Sequence, residues 1–316
     1  MRHIYKVYAA VVLCCLALLS GCSAEPFSLA RQLNLQAPSI ADIGYSLVSA
    51  ADNRIVADVA LTLHNPNNLS IGLSRLQAEA FVNEVKVADI AQAGTATLTA
   101  QGNSVLNLRV TAYTDHLGTV LAGHISRGEA SGLLLKGTAF IGFGWFSLPY
   151  PFTYARGLKT DLLNYKKLEG EKPLPIAGLA VSGLSSRWGA VGPDSLQVIH
   201  NVRVTNRAKD TATLSTTGYE VRGNGISLAE GTVGNGGESI KPGENTVVVA
   251  HTIKTQNIAP WLASHLNGGE VTYFEMSFKP GSSVETAKDK QPLDGRTFKA
   301  DIQTNMASEL MKLVNN

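Results

Sequence analysis

The chain has 316 residues, of which 44% are hydrophobic and 16% charged, with a formal net charge of +2. This composition excludes a disordered, highly charged protectant and supplies enough apolar residues for two folded cores. Arg2 and Lys6, near the amino end, account for the net charge, so the remainder is neutral and gives no basic excess for binding nucleic acid.

Residues 1–22 are predicted to be a targeting signal. Two basic residues precede an apolar run, 7–19, that is too short to span a bilayer comfortably. Residues 19–22, Leu-Ser-Gly-Cys, resemble the bacterial lipobox, in which cleavage leaves a diacylated cysteine at the new amino terminus. The resemblance implies that Cys22 is a lipid attachment site. An ordinary signal peptide or an anchor helix are the alternatives.

Cysteine usage agrees with export and lipidation. Cys14 and Cys15 would leave with the leader, so Cys22 would be the sole thiol of the mature chain, which excludes an internal disulfide or a cysteine metal site. In lipoproteins an Asp after the acylated cysteine signals retention at the inner membrane, whereas this chain has Ser23. We therefore expect a membrane-anchored lipoprotein, on the periplasmic face of the outer membrane if the cell is Gram-negative.

A tether over 23–36 is expected to lead into a first domain, 37–162, organised around residues 57–87. Apolar residues alternate with small or polar ones before His64, which is the period of two typical of a half-buried strand. Asn65-Pro66-Asn67 then ends the strand, because proline has no N–H for a ladder and asparagine favours turns. We interpret these three residues as a structural turn without a binding role.

Two further elements are predicted in this domain. Asp115 is positioned to cap a helix over 116–127, whose apolar residues share one face and which Gly128 ends. Residues 137–153 are the most aromatic stretch, and their Gly and Pro spacing predicts a bent hairpin. Its aromatic residues are expected to fill the core, with an exposed contact patch as the alternative.

The same pattern occurs twice in the chain. A shift of 141 residues superimposes like on like without a gap: Asn65 on Asn206, Asn83 on Asn224, Gly102 on Gly243, His124 on His265 and Glu129 on Glu270. This period is far too long for a solenoid repeat. We therefore predict a tandem duplication of one domain.

An apolar strand ending in Asn-Pro-Asn, followed by an alternating strand, an Asn-containing turn and an Ala-containing strand, resembles the late embryogenesis abundant group 2 family, also called the WHy domain (water stress and hypersensitive response). The resemblance implies immunoglobulin- or fibronectin-III-like sandwiches of antiparallel sheets, each with one short helix. The second copy departs from it, because Asn206-Arg207-Ala208 keeps the first Asn and loses Pro-Asn.

The carboxyl half is predicted to contain three parts. A charged, proline-ending linker spans 163–175, and a second sandwich, with a helix starting after Asn257, spans 176–300. Residues 301–316 place apolar side chains at helical spacing, which predicts a C-terminal amphipathic helix. That helix would pack on the second domain, or else contact a partner or membrane.

The sequence carries no common catalytic motif: no Gly-x-Ser-x-Gly elbow, phosphate loop, zinc-protease helix or dinucleotide fingerprint. His124 and His265 are equivalent by the repeat and are expected to cap or pack within their helices. Asp58 with Asp89, and Glu129 with Glu270, are interpreted as solvated strand-end charges. We predict no catalytic, cofactor or metal site.

These observations predict a non-enzymatic, membrane-anchored protein of the stress- and desiccation-response type that acts through binding or protective surfaces. The alternative is an envelope adaptor or a lipid-carrying binding protein. Envelope proteins or lipids are possible partners, nucleic acid is not, and the oligomeric state stays open.

Overall fold

A computed structural model describes residues 36, 38–51, 53–143, 146–163, 172–173, 178–215, 217–233, 237–287 and 290–305. The predicted leader with Cys22 and nearly all of the tether lie outside the described residues. The described chain forms two compact units. One contains the residues up to Thr160 together with Thr304 and Asn305, and the other spans Asp161–Gln303.

The described part of the first unit consists of strands and one helix. In chain order these are β1 (Ser39–Ala51), β2 (Arg54–His64), β3 (Ile71–Val82), β4 (Val85–Gln92), β5 (Ala96–Leu98), β6 (Asn103–Tyr113), α1 (Leu117–Ser126), β7 (Ala130–Phe143) and β8 (Phe146–Lys159). The strands pair antiparallel in the order β1-β2-β6-β4-β3-β7-β8, with β5 on β3.

One hydrophobic core fills the sandwich formed by this unit. In β2, Val59, Leu61 and Leu63 are buried, and the residues between them are more exposed. Burying a side chain of this size contributes about 1.5–3 kcal/mol. The other strands add their own inward rows to the same cluster, including Leu76, Ala80, Ile90, Leu106, Leu108, Leu133 and Leu135.

The second unit repeats this series of elements. The described strands and helices are β9 (Lys172–Pro173), β10 (Leu179–Val191), β11 (Ser195–Asn206), β12 (Ala212–Ser215), β13 (Thr217–Gly223), β14 (Ile226–Val233), β15 (Glu238–Ile240), β16 (Gly243–Lys254), a 3-10 turn (Thr255–Asn257), α2 (Ile258–Asn267), β17 (Val271–Phe278), β18 (Ser283–Glu285), β19 (Lys290–Pro292) and β20 (Thr297–Gln303). Its main sheet has the order β20-β17-β13-β14-β16-β11-β10-β9.

The strand register repeats as well. Ala88 pairs with Ala112 between β4 and β6, and the residues 141 positions later, Ala229 and Ile253, pair between β14 and β16. The ladder β1–β2 shifts register after Ile40, and β10–β11 shifts at the equivalent Val181. The prediction of two tandem, mainly β sandwiches, each with a short helix, is confirmed.

The two copies differ where the long strands β3 and β7 have their counterparts. In the second unit these are divided into β12 and β13, and into β17 and β18. β12 and β18 then form a separate small sheet with β15 and β19, in the order β15-β12-β18-β19. The second sandwich is therefore less continuous than the first.

Both helices lie where the sequence predicts them, but their caps differ from the prediction. The N-cap residue of α1 is His116, not Asp115, and its side chain makes no capping hydrogen bond. Asp115 Oδ1 instead accepts from the backbone N–H of His116 (3.1 Å). Asn257 is the N-cap residue of α2, yet its Nδ2 donates to the carbonyl of Ser227 (2.6 Å) and caps nothing.

The predicted C-terminal helix does not begin at Asp301. Residues Asp301–Gln303 end strand β20, which pairs with β17. The interstrand ladder satisfies backbone groups that a helix would otherwise pair, so it outweighs the helical spacing of the apolar side chains. Residues 306–316 lie outside the described residues. Within the predicted linker, Lys172–Pro173 form β9, which pairs with Ala180 and Val181.

Candidate functional site

The Asn-Pro-Asn turn joins three segments of the first unit. Asn65 is completely buried, and its Nδ2 donates to the carbonyls of Leu69 (2.9 Å) and Leu98 (3.1 Å). Its Oδ1 accepts from both the backbone N–H (3.1 Å) and the Nδ2 (2.8 Å) of Asn67. All four hydrogen-bonding positions of this amide are thus used inside the fold. Asn65 has none left for a ligand.

Asn67 extends this network to the chain before β1. Its Nδ2 donates to the carbonyl of Gln36 (2.8 Å), and its Oδ1 accepts from the Gln36 N–H (2.7 Å). The half-buried Pro66 between the two asparagines needs no N–H partner. The turn therefore acts as a buried structural clasp.

The second unit keeps only the first half of this clasp. Asn206 Nδ2 donates to the carbonyls of Asp210 (3.0 Å) and Ile240 (2.9 Å), and Oδ1 accepts from the N–H of Ala208 (2.9 Å). Because Ala208 stands where the first copy has Asn67, its side chain offers no amide to the preceding segment. The buried first Asn is therefore the part of the clasp that the two copies share.

The equivalent helix histidines are buried and bonded to hydroxyls. His124 Nδ1 lies 2.8 Å from Ser131 Oγ, and Nε2 lies 2.8 Å from Thr160 Oγ1. Thr160 in turn donates to Glu129 Oε2 (3.2 Å). Since a carboxylate only accepts, this chain of bonds assigns the proton of His124 to Nε2 and makes Nδ1 the acceptor of the Ser131 hydroxyl.

This arrangement brings a serine, a histidine and an acid together, which sequence reasoning missed. It does not form a catalytic triad, because Thr160 separates the imidazole from the carboxylate of Glu129. Ser131 is buried and also accepts from Asn83 Nδ2 (3.0 Å). Burial lowers the pKa of His124, which keeps the ring neutral. The hydrogen bonds of His124, Ser131, Thr160 and Glu129 hold α1 against β7, and we call these four residues the His124 fastening.

The second unit has the same fastening with different side chains. His265 Nδ1 lies 2.8 Å from Thr272 Oγ1, which also accepts from Trp261 Nε1 (3.2 Å). Burial lowers the pKa of His265 as well. Packing of both histidines within their units agrees with the expectation from the sequence. Their partners Ser131 and Thr272 are equivalent by the repeat, and each is the second residue of the strand that follows the helix.

Two of the four carboxylates considered from the sequence, Asp58 and Asp89, lie in surface ion pairs, whereas Glu129 and Glu270 are half-buried. Asp58 accepts two hydrogen bonds from Arg109 (2.9 and 3.0 Å), and Arg109 thereby lowers the pKa of Asp58. Lys86 bridges Asp89 (2.7 Å) and Glu79 (2.6 Å). Asp58 and Asp89 thus each have a cation partner on an exposed face, so neither is poised as a general acid. Exposed pairs of this kind contribute little to stability.

A second polar cluster lies inside the second unit, and sequence reasoning missed it. His200 and His251 take the positions of the buried Val59 and Val110, and their ring centroids are 4.9 Å apart. His200 Nδ1 lies 2.6 Å from Ser186 Oγ, and His251 Nδ1 lies 3.3 Å from the Tyr219 hydroxyl. Aligning the two copies at the offset of 141 residues would have revealed these histidines, because each stands where the first copy has a valine.

A compensating exchange makes room for this cluster. The cross-strand pair Ala78–Ile90 of the first unit becomes Tyr219–Gly231 in the second. A Cβ on Gly231 would lie 2.6 Å from the Tyr219 hydroxyl, so the glycine is needed for the tyrosine to fit. Burial lowers the pKa of His200, burial and the neighbouring His200 lower that of His251 to about 4, and burial raises that of Tyr219 to about 12.

Neither unit, in its described part, places three His, Cys, Asp or Glu side chains where they would hold a metal ion. Neither α1 nor α2, the helices of the described residues, has the length and apolar character needed to cross a membrane. Each unit is a packed β-sandwich whose described interior contains hydrogen-bonded polar side chains.

Comparison with known proteins finds a family match within the first unit. Residues 60–155 match the model of the late embryogenesis abundant protein family (LEA_2). This LEA-matched region runs from β2 into β8 and contains the Asn65 clasp, His124 and Ser131. No curated protein is significantly similar to the chain.

Similar solved structures include a crystal structure of a protein from Archaeoglobus fulgidus, which is 19% identical, covers 40% of this chain and 100% of its own, and has a TM-score of 0.31. A solution structure of an Arabidopsis thaliana protein is 13% identical and covers 46% of this chain and 95% of its own, with a TM-score of 0.27. A β-glucuronidase of glycoside hydrolase family 2 is 12% identical and covers 81% of this chain but 25% of its own, with a TM-score of 0.22.

Proposed function

We propose that the chain is an exported, membrane-anchored, non-enzymatic protein of the stress- and desiccation-response type, acting through the surfaces of two β-sandwiches. The observation that carries this proposal is the LEA-matched region, which coincides with the first sandwich. The repeated register supports the second sandwich as a diverged copy of the WHy type, although it lacks the Pro-Asn of the motif.

The proposed anchor is an acylated Cys22. Each buried methylene of an acyl chain contributes about 0.8 kcal/mol, and one chain alone holds only marginally. Two or three chains on Cys22 would make the attachment effectively permanent. The sandwiches would then work at an envelope surface, in contact with the proteins or lipids that drying brings together.

A folded protectant works differently from a disordered one. The first unit has a continuous apolar core, and the buried side chains of Asn65 and His124 are hydrogen-bonded within the unit. Such a domain would keep its shape as water is lost, because its buried polar groups are paired with one another instead of with water. It would separate neighbouring molecules that otherwise aggregate on drying.

A drying experiment tests the proposal. Vesicles that carry the full chain are dried with a labile enzyme, and the recovered enzyme activity is compared with that from vesicles carrying an equal mass of albumin. We expect higher recovery with the chain. Recovery no better than with albumin contradicts the protective role. The anchor is tested separately, because Cys22→Ala should abolish acyl labelling, and labelling that persists refutes it.

One observation favours a lipid-carrying protein as the second candidate. His200 and His251 of the second unit are half-buried where Val59 and Val110 of the first unit are buried, so the second unit is accessible from outside at these two positions. Native mass spectrometry distinguishes the candidates. A co-purified lipid supports the carrier, and a stoichiometric protein supports an envelope adaptor.

A further inference from the structure

The first unit has a depression at the start of the β7–β8 hairpin. Its centre is Gly132 and Gly157, which lie directly opposite each other in the ladder and are both exposed. The space measures about 390 Å³. We name it the glycine notch and define it by Arg127, Ala130, Gly132, Gly157, Leu158 and Lys159.

The fold itself does not require glycine at position 132 or at position 157. Neither Gly132 nor Gly157 has the left-handed backbone conformation that favours glycine. A Cβ on Gly157 would meet nothing within 4 Å, and one on Gly132 would meet only Asn83 Oδ1 at 4.0 Å. Glycine weakens a strand, and within a strand it often marks a place where another group approaches closely. The missing side chains therefore leave room for something outside the unit.

The surroundings of the glycine notch suit the face of an aromatic ring. Ala130 and Leu158 line it with apolar atoms, and the exposed Arg127 and Lys159 bring two cations to it. Cations within about 6 Å are attracted to the face of a Tyr, Trp or Phe ring. An aromatic side chain thus gains both apolar contact and a charge interaction there.

The chain carries such a side chain at the equivalent place in its second copy. Tyr273 takes the position of Gly132, and its backbone makes the same two bonds to Asn224 (2.8 and 2.9 Å) that Gly132 makes to Asn83 (2.9 Å each). Its side chain is 69% exposed, more than any other large apolar residue described. The duplication therefore left an empty space in one unit and a projecting ring in the other.

We propose that Tyr273 of one copy of the chain inserts into the glycine notch of a second copy. The two surfaces joined are different, because the glycine notch lies on the first unit and Tyr273 on the second. The association is independent of the protective role, since the same contact forms whether or not the protein protects during drying. Anchoring on a membrane would raise the effective concentration of the partner copies.

Sedimentation velocity of the purified full chain in a neutral detergent tests the contact over a concentration series. The average mass should rise with concentration. Tyr273→Ser and Gly157→Leu should each weaken the association about tenfold, through loss of the ring or filling of the notch. Leu148→Ser removes another exposed apolar side chain, at the opposite end of the β7–β8 ladder from Gly157, and is the matched control that should change nothing.

Mixing the variants gives the decisive result. A Tyr273→Ser copy keeps its notch and a Gly157→Leu copy keeps its tyrosine, so an equal mixture should associate more strongly than either variant alone. Circular dichroism is used to check that Gly157→Leu is folded, and Lys159→Glu provides a second, surface-only change that should also weaken association. A monomeric full chain, or association that both variants leave intact, overturns the proposal.

Discussion

At the scale of single residues, the buried amide of Asn65 matters most to the first unit. The alternation that ends at Asn65 predicted a turn there, and a turn is what forms. The sequence could not predict its partners, because Leu98 and Gln36 lie more than thirty residues away along the chain and meet the turn only in the folded sandwich. The sequence shows which residues favour a turn, but it does not show which distant groups will hydrogen-bond to a buried amide.

The repeat supplies a graded test of this clasp. Asn65→Ala would remove the donor to the carbonyls of Leu69 and Leu98 and the acceptor of the Asn67 backbone N–H. We expect a cost of about 3 kcal/mol of unfolding free energy, since each unsatisfied buried group costs about 1–3 kcal/mol. Asn67→Ala copies the natural second unit and should cost only about 1 kcal/mol. Urea unfolding of the full chain measures both. Equal effects would show that Asn65 is not the key residue.

At the scale of elements, the β7–β8 hairpin shows what glycine does in two settings. The Gly and Pro spacing of this stretch predicted a hairpin, and the ladder from Ala130–Lys159 to Phe143–Phe146 confirms it. Pro149 and Pro151 lie in β8, an end strand of the sheet, where an absent N–H costs no ladder bond. The packing of the buried Phe152 against Gly137 was not predictable, because it depends on the exact register.

Two alanine substitutions in this hairpin should have very different effects. A Cβ on Gly137 would lie 2.3 Å from Phe152 Cζ and 2.6 Å from the carbonyl of Gln77, so Gly137→Ala should lower the free energy of unfolding by about 3 kcal/mol. Gly157→Ala, with open space around its Cβ, should change it by less than about 0.5 kcal/mol. Thermal or urea unfolding compares them, and similar costs would disprove the assigned register.

The helices show a different limit of sequence reasoning. Their apolar periodicity and the repeat placed them correctly, but the residues suited to capping them serve elsewhere. Asn257 bonds to the carbonyl of Ser227, and Asp115 lies one residue before the cap. Packing holds each helix instead, through His124 on Ser131 and His265 on Thr272. Buried contacts outweigh the modest energy of a cap.

At the scale of the whole molecule, duplication produced two units with the same topology and unequal interiors. The offset of 141 residues predicted the shared topology, because like residues at like spacing form like strands. It did not by itself predict the division of β3 and β7 into shorter strands in the second unit. The exchange of Val59 and Val110 for His200 and His251 is visible at the same offset, but that these two histidines contact each other follows only from the strand pairing.

These histidines should make the second unit the less stable one in acid. An unfolded histidine has a pKa near 6.5, whereas that of His251 in the fold is about 4, and that of His200 is also lowered. Between these values only the unfolded state takes up the proton, so stability is lost as the pH falls from about 6.5 toward 4. Burial also lowers the pKa of His124 and of His265, so each unit has one further loss of the same sign, whereas the His200–His251 pair belongs to the second unit alone.

Calorimetry of the full chain at pH 7 and pH 5 should therefore show two transitions that move apart in acid, with that of the second unit falling about 5 °C further. Replacing His251 by Val, as in the first unit, together with Tyr219→Phe to avoid an unpaired hydroxyl, should remove most of this extra shift. Tyr219→Phe alone keeps His251 and should retain it. If both transitions move equally with pH, or the double variant keeps the extra shift, the half-buried pair does not set the acid sensitivity of the second unit.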